Sequence, residues 1–103
     1  MRALVTVYGY MRISTNESRQ TYRSQRALLR QAGATELFSD AQSGRKAYRE
    51  RPELLKLLGA VQAGDTVVVY SLSRATRSLT DLLELATRFD DLGVSLCSLT
   101  EGV

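Results

Sequence analysis

Three short polar segments of this 103-residue chain carry side chains suited to phosphate chemistry. The first is Tyr10-Met11-Arg12-Ile13-Ser14-Thr15, the second runs from Asp40 to Ser43-Gly44, and the third is Ser71-Leu72-Ser73-Arg74-Ala75-Thr76-Arg77-Ser78. Arg12 and Ser14 are two apart, so on an extended segment their side chains leave the same face. Arg74 and Arg77 are three apart and project together from a helical turn. A serine hydroxyl among guanidinium groups suits attack on a phosphodiester, because the arginines grip the non-bridging oxygens and stabilise the charge that develops there. Serine ordinarily needs a base, and the chain has no histidine. Either nearby arginines lower the hydroxyl's pKa or the phosphate takes the proton; the sequence leaves both open. Each piece also has a plainer reading. Ser14-Thr15 can cap the following helix, Arg74 and Arg77 can be a solvated helix face, and Asp40 can pair with a loop arginine.

Composition narrows the chemistry further. Twelve of the fourteen basic residues are arginine, within a formal net charge of +3. Arginine's planar fork binds phosphate bidentately where lysine is a point charge, although a GC-rich genome enriches arginine as well. One cysteine and no histidine leave no metal cluster to expect, and remove His-dependent triads and most zinc chemistry. The lone Cys97 excludes an internal disulfide and reads as a core residue of a strand. No apolar run approaches the ~20 residues that span a bilayer, and no signal peptide opens the chain. The expected setting is a reducing cytoplasm, with no membrane partner.

The elements that must position these residues alternate. Residues 3–10 read as a β-branched and aromatic strand. Helical spacing follows from Arg19 to Ala32, with Tyr22, Leu28, Leu29 and Ala32 on one side and Gly33 at the C-terminal cap. A short strand over 36–39 leads into a polar, basic loop from Asp40 to Arg51. Pro52 opens a second helix over 52–63, with Leu54, Leu55, Leu58 and Val61 as its core stripe and Gly64 closing it. Thr66 to Tyr70 is nearly all apolar, the mark of a central parallel strand. Ser78 to Asp81 resembles a capping box for a third long helix, with Leu82, Leu83, Ala86, Phe89 and Leu92 inward and Gly93 ending it. A last strand covers 94–99. The expected fold is α/β: a single open, mostly parallel sheet of four to five strands with helices on both faces. Ligands of such sheets gather beyond the C-terminal strand ends, where all three polar segments fall.

Taken together, the segments resemble the serine recombinases of the resolvase and invertase type. Gly9-Tyr10-Met11-Arg12-Ile13-Ser14-Thr15 is similar to that family's G-Y-x-R-V-S-T opening, and Gln25 matches a glutamine of its first helix. Asp40-Ala41-Gln42-Ser43-Gly44, ending in Arg51-Pro52, resembles its D-x-x-S-G…R-P segment. Gly64-Asp65 resembles its G-D-x-L-V-V element, and Leu72-Ser73-Arg74-Ala75-Thr76-Arg77-Ser78 its L-D-R-L-x-R-S segment. Four ordered blocks cover almost the whole chain.

The resemblance implies a catalytic domain for site-specific DNA recombination. Ser14 is then the nucleophile, linked covalently to a DNA 5′ phosphate while a 3′ hydroxyl is left free. Arg12, Arg74 and Arg77 surround the scissile phosphate, with Arg51 close to it, and Tyr10, Gln25, Asp40 and Ser43 complete or support the pocket. The covalent bond conserves the phosphodiester's energy, so neither ATP nor metal is needed. Such enzymes act on DNA as homodimers that pair into tetramers. Residues 1–103 are expected to form the catalytic domain of a longer protein, cut before a dimerisation helix and a DNA-binding domain, and to recombine nothing alone. Ser73 stands where the family carries aspartate, and Ala75-Thr76 replace a common Leu-Gly pair. Two other readings remain: a non-catalytic DNA-associated regulatory module of the same fold, which the Ser73 substitution favours, and an unrelated α/β enzyme on a small phosphorylated substrate. A glycine-rich phosphate loop would favour the latter, and residues 10–16 contain none. The resemblance does not distinguish resolvase, invertase, transposon-borne enzyme or phage integrase.

Overall fold

A computed structural model describes residues 5–13, 19–40, 51–76 and 78–101, with residues 19 and 74 described by their backbone alone. Eight elements alternate along these residues: β1 (Val7–Arg12), α1 (Arg19–Gln31), β2 (Glu36–Asp40), α2 (Pro52–Ala60), β3 (Thr66–Val69), α3 (Leu72–Ala75), α4 (Leu79–Leu92) and β4 (Ser95–Ser98). The four strands form one sheet in the order β2-β1-β3-β4, and every pairing is parallel. The expected open α/β sheet with helices on both faces is what forms, at four strands among the described residues.

Strand periodicity sorts the side chains into two cores. Tyr8, Tyr10, Val67 and Val69 face α2 and α4, where they meet Leu54, Leu57, Leu58, Leu85 and Phe89. Met11 and Val68 point the other way, toward Leu29 and Ala34 of α1 and its C-terminal turn. Cys97 packs, partly buried, against this second core. Gly9 lies under α1, where any side chain would crowd its neighbours. A Cβ there would stand 2.5 Å from Leu37 Cδ2, 3.2 Å from Ala34 Cβ and 3.3 Å from Leu29 Cδ1. The close approach of helix to strand thus depends on this glycine.

Several boundaries and faces differ from expectation. β1 runs to Arg12 rather than ending at Tyr10, because β2 keeps pairing after β3 has stopped: the last pair with β3 is Tyr10 opposite Val69, whereas β2 continues to Asp40 opposite Arg12. α1 turns Gln25 and Leu29 inward, while Leu28 and Ala32 are exposed. In α2 the inner leucines are 54, 57 and 58, and Leu55 is exposed. The helix ends at Ala60, with Val61 already extended. In α4 Leu85 is buried and Leu83 exposed. The capping expectation for this helix is met at both ends. Ser78 Oγ accepts from the Asp81 N–H at 3.1 Å, and Gly93 closes the helix at φ +74, where any side chain is strained. No described helix is long and apolar enough to cross a membrane.

Gly64-Asp65 is a structural corner. The buried Asp65 carboxylate accepts from the Thr6 N–H at 2.9 Å and the Gln62 N–H at 2.8 Å, tying the start of β1 to the turn before β3.

Candidate active site

Strand order 2-1-3-4 reverses direction at β1 and β3. The crevice for a ligand in an open parallel sheet therefore opens beyond the C-terminal ends of these two strands. β1 ends there on Arg12, and β3 leads through Tyr70 and Ser71 into α3, which carries Arg74. Parallel register sets Asp40, the last residue of β2, beside Arg12, and the Ile13 N–H donates to the Asp40 carbonyl at 2.7 Å.

Asp40 organises this edge. Its side chain, 2 % exposed, accepts from the Tyr10 hydroxyl at 2.8 Å and from the Glu53 and Leu54 N–H groups at 3.0 and 3.1 Å. Those amides are unsatisfied donors in the first turn of α2, whose positive dipole end favours a carboxylate. Asp40 thus caps α2 from across the chain, a role that Arg51 at the N-cap position does not fill. The loop arginines with which Asp40 could pair, at positions 45 and 49, lie outside the described residues.

Tyr10 is equally enclosed. Burial first, then the charge and hydrogen bond of Asp40, push its phenol far above its ordinary value, with Arg51 opposing the rise. It stays protonated throughout the physiological range and acts here as a donor, not as a base.

Arg51 has no exposed surface at all. It forms an ion pair with Asp81 at 2.5 Å and donates to the carbonyl of Ala75. One guanidinium therefore joins the entry of α2, the end of α3 next to Arg74, and the first turn of α4. The sequence reading missed Asp81 in this role, treating it only as part of a cap. A signal was available: positions 81, 85 and 89 share one helix face, so the carboxylate lies in line with buried Leu85 and Phe89.

The remaining candidates are placed as follows. Arg12 is half-buried at the end of β1. Gln25 is buried on the inner face of α1, and its Nε2 has no hydrogen-bond partner among the described residues. Arg74 lies within α3. Ser73, in place of the family's aspartate, is exposed, with its Oγ 3.4 Å from that of Ser71. Ser14, Ser43 and Arg77 lie outside the described residues. Tyr10, Arg12, Asp40, Arg51 and the α3 backbone at Arg74 are thus gathered at one edge of the sheet.

A second tie at this edge was not foreseen. Glu101 accepts from the Leu72 N–H at 3.2 Å, from Thr100 Oγ1 at 2.8 Å and from the Ser98 hydroxyl. These bonds, led by that of Ser98, hold its carboxyl below the usual range. The contact fastens the start of α3 to the segment after β4.

The fold is shared by solved recombinase domains. The C-terminal catalytic domain of an IS607-like serine recombinase superposes with a TM-score of 0.76 at 21% identity, over 92% of this chain and 69% of that one. A resolvase family site-specific recombinase from Streptococcus pneumoniae gives 0.72 at 21% identity, over 97% and 75%. Sequence likeness is closer. The family model for the resolvase N-terminal domain matches residues 7–103, and the chain belongs to this family. The DNA-invertase of Escherichia phage P1 is 43% identical over 95 residues, covering 92% of this chain and 49% of that protein. The transposon Tn917 resolvase of Enterococcus faecalis is 34% identical over 97 residues, covering 94% and 50%. The chain spans about half the length of the curated relatives it matches.

Proposed function

We propose that this domain breaks and rejoins DNA strands in site-specific recombination, with Ser14 as the nucleophile. The observation that carries the reading is the gathering of Arg12, Asp40, Arg51 and α3 at the sheet edge beyond β1 and β3. Ser14 follows Arg12 by two residues in the sequence. Its Oγ attacks the scissile phosphorus, the DNA 3′ oxygen leaves and takes up a proton, and a 5′-phosphoserine ester forms. Religation is the reverse attack by a 3′ hydroxyl. The bond count is conserved, so the exchange requires no nucleotide hydrolysis.

Arg12, Arg74 and Arg77 hold the non-bridging oxygens and meet the charge that accumulates on them. Tyr10 and Asp40 act beneath them by fixing the strand ends and the start of α2. Gln25 and Ser43 complete the pocket, the spare amide N–H of Gln25 offering it a donor. Arg51 reads as the brace of this floor: two of its donors go to Asp81 and the Ala75 carbonyl, and it acts on the phosphate through the placement of Arg74. Tyr10 is excluded as the base for Ser14 by its raised pKa. Arginine-lowered serine acidity and proton transfer to phosphate remain the two routes. The active assembly on DNA is a dimer paired into a tetramer, in a protein whose dimerisation and sequence-reading parts follow this domain.

The test uses a recombinase carrying this domain on its own recombination site, under conditions that block religation. Denaturing gels should show protein attached to DNA 5′ ends with the native sequence and none with Ser14→Ala. Normal cleavage by Ser14→Ala removes the nucleophile assignment.

A further inference from the structure

The exposed flank of α1 has a charge pattern that the active site does not use. α1 holds four arginines and no acidic residue. Outside it the chain has ten basic against eleven acidic residues, a net −1, so this one helix supplies the protein's whole positive charge. Arg23, Arg26 and Arg30 are all exposed. At spacings of three and four they form one line on the helix surface, about 10 Å long at 1.5 Å per residue.

The rest of the helix surface is accounted for. Gln25 and Leu29 turn into the core, with Tyr22 half-buried beside them. Thr21, Ser24 and Leu28 line a hollow beside Tyr70, on the side of β3. The arginines occupy the other flank, toward the edge strand β2. None of the three has an ion-pair partner among the described residues.

An ordinary solvated helix mixes its charges, as α4 does with Glu84, Arg88, Asp90 and Asp91. Helix stability does not call for this pattern either. α1 opens on Arg19 with no acidic residue in its first turn, the reverse of what the helix dipole favours there.

We infer that Arg23, Arg26 and Arg30 form a DNA-backbone ridge, a second phosphate-binding surface beside the active site that steers the duplex without reading its sequence. The inference rests on DNA being the substrate. Three features favour DNA over an acidic protein. The ridge is arginine throughout, the residue whose fork matches phosphate. Its length equals the axial rise of about three base pairs at 3.4 Å each, over which one strand carries about three phosphates. It also starts at the sheet edge where β1 ends and runs back along the domain, so one duplex lying on the site can continue over it.

The test measures binding of the chain to a random-sequence 30-base-pair duplex by fluorescence anisotropy over a salt series. For the native sequence, log K falls linearly with log salt. The triple variant R23Q/R26Q/R30Q should lower the magnitude of that slope by about two to three, and weaken binding at 0.1 M salt by about two orders of magnitude. R23K/R26K/R30K should keep most of the slope, since lysine still neutralises phosphate. An unchanged slope in the glutamine variant overturns the ridge, as does equal loss in both triple variants. A parallel R12Q/R74Q variant separates the two claims: if it loses slope while the ridge variant does not, the ridge fails and the proposed site stands. A native chain that ignores DNA but binds polyglutamate through the ridge has an acidic protein as partner, which also overturns the proposal.

Discussion

Removing the guanidinium at position 51 tests how the floor of the site is held. Arg51 is fully buried and its partner Asp81 nearly so, with side-chain exposures of 0% and 4%. Arg51→Met keeps a similar volume and removes the buried guanidinium that pairs with Asp81. Breaking such a pair from one side costs about 3–5 kcal/mol, a large share of the ~5–15 kcal/mol that stabilises a domain of this size. Adding Asp81→Leu removes the carboxylate of the pair as well. What then remains includes the Ala75 carbonyl without its donor, about 1–3 kcal/mol. Urea unfolding followed by circular dichroism reads both variants. With a slope of about 1.5 kcal/mol per molar urea, the single variant lowers the midpoint by roughly 2–3 M, and the double variant recovers about half of that. Equal losses in the two variants, or a single-variant loss under about 1 kcal/mol, would refute the brace.

Other consequences are as direct. Gly9→Ala forces a methyl against Leu37, Ala34 and Leu29, and should cost about 1–3 kcal/mol in thermal or urea unfolding; an unchanged midpoint shows that α1 does not sit on the strand as described. Tyr10→Phe should cost about 1–2 kcal/mol near neutral pH through loss of the hydrogen bond to Asp40. Because the folded phenol titrates above its unfolded value of 10.0, its contribution is complete below pH 10.0 and fades as pH rises beyond it. The stability profile of Tyr10→Phe should therefore be flatter above pH 10 than that of the native chain, and parallel profiles contradict this. In a recombinase carrying the domain, Arg74→Lys should slow strand cleavage by at least tenfold, since a point charge replaces a bidentate grip; an unaltered rate removes Arg74 from the phosphate.

Much of the fold was legible because strand and helix alternate cleanly and the caps are written locally. Ser78 and Gly93 close α4 as their residue types dictate. The inner faces of the helices were harder to read. Residues 54, 55, 57 and 58 are all leucine and satisfy two neighbouring helix phases; the position of the sheet, which local spacing does not encode, selects 57 over 55. The same ambiguity exchanged Leu85 for Leu83 in α4. In the site, spacing identified Arg12 and Asp40 but not what Asp40 does, since its partners Tyr10, Glu53 and Leu54 come from two other elements. The resemblance sets Arg51 close to the phosphate, but nothing in the local spacing shows that its side chain is buried. Its burial depends on Asp81, thirty residues away, and a long-range pair of that kind leaves little local trace.

The central claim is that the oxygen at position 14 becomes bonded to DNA phosphorus. Trapped complexes digested with protease and nuclease, then analysed by tandem mass spectrometry, address it directly. The account predicts a nucleotide 5′ phosphate esterified to Ser14, with a free 3′ hydroxyl on the other DNA end. A nucleotide carried by any other residue, or cleaved ends with no attached peptide, would contradict it.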